Sequence, residues 1–294
     1  MNLDELKAFL AIVEHQSFTL AAEKIHLTQP AISKRIAKLE DSLGVRLFDR
    51  ISNKVLLTES GQLLLERANE LLRDLEDIER AIHNLSGDIS GSVRFATSHH
   101  IGLHRLPPVF EEFHREYPAV GLDVRFLDSE QACQQVSRGE LEFAVVTLPP
   151  LVETPLQVRR VWPDPIEIMV SGQHPLAKTG NVISPAELTG HSALLPAVGT
   201  YTRALIDRAF TELQLPLHIE INSNYLEVLK MLTAAGLGWS ALPRSMLDDK
   251  LQVVNVSQLS LQRELGIVTH EKRTLSNAGQ LLVKTIIRHG EENP

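Results

Sequence analysis

The sequence predicts two unlike folds in series: an N-terminal winged helix-turn-helix, mainly α, joined by a long linker helix to an α/β region of two subdomains. Three observations predict it. Residues Ser17 to Arg50, SFTLAAEKIHLTQPAISKRIAKLEDSLGVRLFDR, hold two helical patterns either side of a turn and then strand-like residues. From Leu64 to Leu85 apolar residues recur at gaps that alternate four and three. Beyond Gly91, runs rich in β-branched and aromatic residues alternate with helical patterns, which argues a parallel sheet covered by helices.

Phe9, Ile12 and Val13 form one apolar face of a first helix, and Ser17 is placed to cap a second that runs through Leu20, Ala21, Ala22 and Ile25. The turn falls at His26-Leu27-Thr28. Thr28 suits an N-cap, and Pro30 sits near the first helical position, where a missing N–H costs nothing. Ala31, Ile32, Ile36 and Leu39 then make the buried stripe of a third helix. Gln29 and Ser33 are left outward near its N-terminal end, the end that reaches base edges when such a helix enters a major groove. Lys34, Arg35 and Lys38 offer positive charge to phosphates. Gly44 ends the helix. Val45 to Phe48 and Lys54 to Leu57 read as two strands joined at Ile51-Ser52-Asn53, a wing whose tip is flanked by Arg50 and Lys54.

This run, with the LLTESG that follows it, resembles the winged helix-turn-helix of LysR-type transcriptional regulators. The resemblance implies a protein that binds double-stranded DNA and regulates transcription, with RNA polymerase as a further partner.

A net charge of −8 argues against a nucleic-acid partner until its distribution is examined. Between Met1 and Ser60, Lys7, Lys24, Lys34, Arg35, Lys38, Arg46, Arg50 and Lys54 balance Asp4, Glu5, Glu14, Glu23, Glu40, Asp41, Asp49 and Glu59, so the acidity belongs to the remainder. A neutral module with a basic face binds DNA weakly by itself, so more than one copy is expected.

The region from Thr58 to about Leu85 supplies the means. Leu64, Ala68, Leu71, Leu75, Ile78, Ile82 and Leu85 average 3.5 residues apart, the seam of a left-handed coiled coil. Self-association through 59–85 to a dimer would set two readers on the half-sites of a near-palindrome. The family resemblance implies that this helix pairs subunits and that the assembly is a homotetramer. Small polar residues at Ser86-Gly87-Asp88 and Ser90-Gly91-Ser92 end the periodicity as a hinge.

The C-terminal strands are expected at 93–97, 121–126 and 143–146, with helices near Leu106 to Tyr117 and Glu130 to Arg138. A second set starts near Ile166, with a strand at 193–195, a helix from about Tyr201 to Leu213, a strand at 217–221 and a helix from Tyr225 to Ala235. Leu148 to Pro165 carries five prolines and reads as a crossing between subdomains, with a second crossing near Leu237 to Pro243. A strand at 265–268 and a helix from Asn277 to Arg288 return to the first subdomain. SGQHPLA (Ser171 to Ala177) and LTAAGLGWSALPRSM (Leu232 to Met246) resemble the periplasmic-binding-protein-like effector domain of LysR-type regulators. The expected division is 1–58 for the winged domain, 59–90 for the linker and hinge, and 91–294 for the effector domain. Within the last, subdomain I takes 91–148 and 243–294, and subdomain II takes 165–237.

In open α/β sheets a ligand sits beyond the carboxyl ends of the strands, where helix N-termini favour anions. Those ends carry Thr97-Ser98-His99-His100, Asp128-Ser129 and Thr147, and the second subdomain adds Thr200, Tyr201 and Thr202. The resemblance implies that the first and last of these segments, Thr97, Ser98 and His99 with Thr200, Tyr201 and Thr202, line an effector cleft. Hydroxyls and a helix N-terminus suit a small anionic effector. His99, His100 and His104 offer an alternative, a pH- or metal-responsive site, although no cysteine completes a ligand set. No metal or other cofactor is assigned.

Cys133 is the single cysteine, which excludes an intrachain disulfide and suits packing as a small apolar residue. No Gly-x-Ser-x-Gly elbow, phosphate loop or HExxH is present, so an enzyme is not expected. No stretch approaches the roughly 20 apolar residues of a bilayer span, so no membrane partner is expected and cytoplasm is the expected location. A small-molecule-binding protein without a regulatory role is the competing reading, but it leaves the first ninety or so residues without purpose.

Overall fold

The computed structural model describes residues 1–51, 54–85, 87, 89–178 and 181–292. The chain divides into two compact units, 1–79 and 80–294.

The first unit holds α1 (Leu3–His15), α2 (Phe18–Lys24), α3 (Gln29–Leu43), β1 (Phe48–Ile51), β2 (Lys54–Leu57) and most of α4 (Glu59–Leu85). Each helix begins where the sequence offers a cap. Asn2 and Glu5 form a reciprocal capping box, Ser17 Oγ accepts from Leu20 N, and Thr28 Oγ1 accepts from Ala31 N. Gly44 closes α3 in the left-handed conformation, φ 70°. Phe9, Ile12, Ala21, Ala22, Ile32, Ile36, Leu39 and Leu47 bury together, and the Phe48 ring packs at a tilt against Phe9, centroids 5.2 Å apart. Ala31 stays half-buried at the margin of this core.

The residue pattern predicts a wing strand from Val45, yet the strand starts at Phe48. Glu40 Oε1 on α3 accepts the Leu47 N–H at 2.7 Å, and Leu47 O accepts from Thr58 N at the threshold of α4. The Leu47 main chain is thereby committed to helix ends, and the ladder runs only from Phe48↔Leu57 to Ile51↔Lys54. The wing tip at 52–53 and the side chains of Arg50 and Lys54 lie outside the described residues.

In α4, Leu64 and Leu65 pack on the winged core and Ala68 is buried. Farther along, Leu71, Leu75, Ile78, Ile82 and Leu85 are exposed by 47, 37, 56, 61 and 87%. Beyond Ala68 the seam therefore continues as an exposed apolar stripe.

The second unit runs through β3 (Gly91–Thr97), α5 (His99–His104), α6 (Pro107–Glu116), β4 (Val120–Phe126), α7 (Ser129–Ser137), β5 (Phe143–Thr147) and β6 (Leu156–Ser171). It continues with α8 (Pro185–Thr189), β7 (Ala193–Leu195), α9 (Tyr201–Glu212), β8 (Ile219–Asn222), α10 (Leu226–Ala234), β9 (Ser240–Pro243), β10 (Leu251–Val253), β11 (Leu261–His270) and α11 (Asn277–Glu292). Strands pair in the order β4-β3-β5-β11-β6-β10, with β9 also on β6. β3, β4 and β5 are parallel, whereas β11 is antiparallel to both β5 and β6. Val93, Phe95, Phe113, Phe143, Trp162 and Ile286 centre the first subdomain; Ile168, Val170, Leu195, Ile206, Phe210 and Trp239 centre the second.

The helix expected near Leu106 to Tyr117 is α6, and a short helix, α5, precedes it, ending at Arg105 and Leu106 before Pro107 opens α6. Two expectations are corrected here. The proline-rich stretch expected as a crossing is strand from Leu156 onward. Pro163 and Pro165 are tolerated because β6 pairs with β9 only from Ile166, so that side carries no ladder at the prolines among the described residues. The return crossing is β11 rather than 237–243. Leu251 and Met246 pack in a cluster with Met169 and Leu194, and Val254 and Leu261 pack with Ile168 and Trp239, so residues 243–261 belong with the second subdomain. Among the described residues no helix is long and apolar enough to cross a membrane.

Candidate nucleic-acid interface and ligand cleft

The buried stripe of α3 fixes which residues face away. Thr28, Gln29, Pro30 and Lys34 are exposed and Ser33 is half-buried, with Gln29 Nε2 donating to Ser33 Oγ at 3.1 Å. The three cations are not equivalent. Arg35 lies 3.6 Å from Asp4, and Lys38 Nζ lies 3.1 Å from Glu5 Oε1 on α1. The Lys38 ammonium beside Glu5, helped by the Asn2 backbone, holds that carboxyl below its usual range. The charge of Arg35 and Lys38 is thus shared with α1, and Lys34 has no carboxylate partner among the described residues.

In the second unit, the carboxyl ends of β3, β4 and β5 meet α9 and α10 around a polar cavity of about 50 Å³. Ser98, His99, His100, Ser129, Thr147, Thr200 and Thr202 line it. Thr97 and Tyr201 do not. Thr97 is fully buried, and its Oγ1 donates to Val145 O at 2.9 Å on the neighbouring strand β5. The Tyr201 ring turns the other way and packs with Cys133, Val136 and Leu156. Burial pushes the Cys133 thiol up to about 11 and the Tyr201 phenol upward as well, so both remain protonated packing groups at neutral pH.

The helix starts around this cavity are well defined. Thr200 Oγ1 accepts from Arg203 N at 3.2 Å, and Ser129 Oγ, in the first turn of α7, accepts from Thr147 N at 3.2 Å. Two polar contacts tie the subdomains together across the opening. Asn224 Nδ2 donates to Asp128 Oδ2 at 2.7 Å, and the Tyr201 N–H at the start of α9 donates to the Glu130 carboxylate. Burial raises the Glu130 carboxyl above its ordinary value.

Sequence reasoning missed the main cation of the site. Arg263 on β11 is buried in the cavity wall, its Nε donating to Asp164 Oδ2 and its Nη1 to Thr202 Oγ1, both at 2.7 Å. Asp164 sits between two prolines in a segment that reads as loop, and only the register of β6 against β11 sets the two residues opposite one another. No local signal could have paired them.

The histidines separate. The His99 ring packs against Phe126 and Tyr225, at 5.4 and 4.8 Å. His100 and His104 share the other face of α5 and turn to Glu227 on α10, with His104 Nε2 at 3.2 Å and His100 Nδ1 at 3.8 Å from Glu227 Oε1. Burial depresses the basicity of His100, while the imidazoles of His100 and, to a lesser degree, His104 hold the Glu227 carboxyl down at about 2.

Residues 3–62 match the family model described as a bacterial regulatory helix-turn-helix protein of the lysR family, and residues 86–291 match that of the LysR substrate binding domain. The chain is 30% identical over 285 residues to the uncharacterized HTH-type transcriptional regulator YfeR of Shigella flexneri, covering 96% of this chain and 92% of YfeR. It is 28% identical over 295 residues to the HTH-type transcriptional activator CmpR of Synechocystis, covering 99% of this chain and 96% of CmpR. Among solved structures, a full-length OxyR variant from Pseudomonas aeruginosa superposes with a TM-score of 0.71 at 23% identity, covering 99% of this chain and 95% of that one. Full-length CbnR complexed with its target DNA gives 0.67 at 18% identity over the whole of both chains. The CcmR regulatory domain of Synechocystis in complex with 2-PG gives 0.64 at 20% identity, covering 70% of this chain and all of that one. At these identities the structures speak for the fold.

Proposed function

The chain belongs to the LysR family of DNA-binding transcriptional regulators, and from that premise we propose that α3 reads promoter DNA while a small anionic effector acts from the C-terminal cleft. The observation that carries the DNA reading is the outward polar face of α3, held rigid by a fully packed opposite face. Gln29 and Ser33 read bases, Thr28 and Pro30 set the helix start against the backbone, and Lys34, Arg35 and Lys38 meet phosphates. Arg50 and Lys54 act from the wing. CbnR, a structure of the same fold, is bound to its target DNA, which supports this use of the module.

The apolar stripe of α4 pairs two chains, and two pairs make a tetramer on two near-palindromic sites. The five exposed residues from Leu71 to Leu85 support pairing, because such a stripe is costly to leave in water. The working division is the winged domain at 1–58, the linker at 59–90 and the effector domain from 91 onward. We place the protein in the cytoplasm with its DNA, with RNA polymerase as a further contact, and assign it no catalytic step.

Anion binding is supported by the starts of α7 and α9 at the cavity, by buried Arg263, and by the Glu130 carboxylate. That carboxylate already occupies an N–H at the start of α9, the kind of position an effector carboxylate or phosphate would take. The CcmR domain of like fold holds 2-PG. The effector shifts regulation only through its difference in affinity for two arrangements of the subdomains. Mobility shift with the DNA upstream of the gene should give a sequence-specific complex that organic acids or oxyanions alter. Absence of any specific complex would remove the reading.

A further inference from the structure

We propose that His100, His104 and Glu227 form a binding site for a divalent first-row transition ion such as zinc, which bridges the two subdomains beside the cleft. The donor set is two imidazoles and one carboxylate, with ligand atoms all within 4.8 Å of one another. Tetrahedral coordination with bonds of about 2.0–2.2 Å sets neighbouring donors about 3.3 Å apart. His104 Nε2 and Glu227 Oε1 meet that spacing at 3.2 Å, and His100 Nδ1 lies 3.8 Å from Glu227 Oε1.

Two further observations point to a ligand rather than an ion pair. His100 is 4% exposed, and neither of its ring nitrogens has a hydrogen-bond partner among the described residues. A His104–Glu227 pair alone leaves that buried imidazole unsatisfied, whereas a metal uses its lone pair. Imidazole donors select zinc, cobalt, nickel or copper over magnesium and calcium. Three protein ligands leave a fourth position open, and His100 borders the cavity, so water or an anionic ligand can complete the sphere.

The placement ties chemistry to shape. α5 is anchored in the first subdomain by Ile101, and α10 in the second by Leu226 and Leu229. An ion held by both helices fixes their separation whether or not the chain binds DNA.

The test uses the full-length protein stripped with a chelator, titrated with Zn²⁺ by calorimetry and with Co²⁺ by visible absorption. One equivalent per chain is expected, with the intense cobalt bands of a four-coordinate nitrogen and oxygen site. Glu227→Gln and His104→Gln should each weaken binding by more than about tenfold, a loss reached even by changes behind a ligand. His174→Gln should leave the titration unchanged, although His174 and His191 bring their rings within 4.9 Å. No saturable cobalt binding, or an affinity unchanged from the parent in both ligand variants, overturns the site. Melting of each apo variant is read in parallel, and if one fails to fold the other carries the decision.

Discussion

Lys34 and Gln29 are less than two turns apart on α3, and the proposed function gives them different parts of the duplex, so their removal should have different signatures. Lys34→Ala should weaken binding to all sequences alike and lower the slope of log affinity against log salt by about one, read by anisotropy titrations across salt. Gln29→Ala should instead cost about 1–3 kcal/mol of discrimination at one base pair while leaving nonspecific binding nearly intact. Arg35→Ala and Lys38→Ala are less clean probes, because each also unpairs a carboxylate on α1. In the cleft, Glu130 makes a prediction with a definite sign. Its folded-state pKa is raised, so ionising it costs stability as pH rises from the ordinary carboxylate range through the raised value. Glu130→Gln keeps an oxygen for the Tyr201 N–H without that cost. Its melting temperature should match the parent near pH 4 and exceed it at pH 7; an advantage confined to acid pH would contradict the assignment.

The helix α4 and the strands β6 and β11 illustrate what periodicity does and does not reveal. The alternating gaps of four and three residues in α4 are a local pattern, and the exposure of Leu71, Leu75, Ile78, Ile82 and Leu85 agrees with a seam awaiting another helix. Ile78→Glu should therefore shift the monomer–dimer equilibrium by at least about tenfold in sedimentation, since one buried Ile contributes roughly 1.5–3 kcal/mol and a charge in its place costs more. An unchanged sedimentation coefficient at every concentration would exclude α4 as the interface. β6 was hidden by its prolines, which normally signal loop, whereas β11 was legible at 265–268 and extends back to Leu261, with a register shift against β6 between Leu265 and Gly266. At Gly266 a Cβ would come 2.2 Å from Arg159 O, so the strand passes its neighbour there only because the residue is glycine.

Across the effector unit, the two subdomains share β6 and β11, and the Arg263–Asp164 pair sits where those strands pass the cleft. With side chains 8% and 1% exposed, the pair is a buried one, and Arg263→Ala should destabilise the fold by about 3–5 kcal/mol by stranding Asp164, as read by urea unfolding. Replacing both partners with matched apolar residues should recover most of that loss and separate the structural cost from any effect on ligand. Sequence by itself determined the winged helix-turn-helix, the apolar stripe of α4 and the alternation of strands and helices, because caps, apolar spacing and β-branched runs act over a few residues. Tertiary structure alone decided that Thr97 and Tyr201 turn from the cavity, that Arg35 and Lys38 lean on α1, and that Glu227 joins His100 and His104 while His99 leaves them. Those outcomes depend on strand register and on contacts between residues as distant as Asp164 and Arg263, 99 positions apart, and no local preference encodes them.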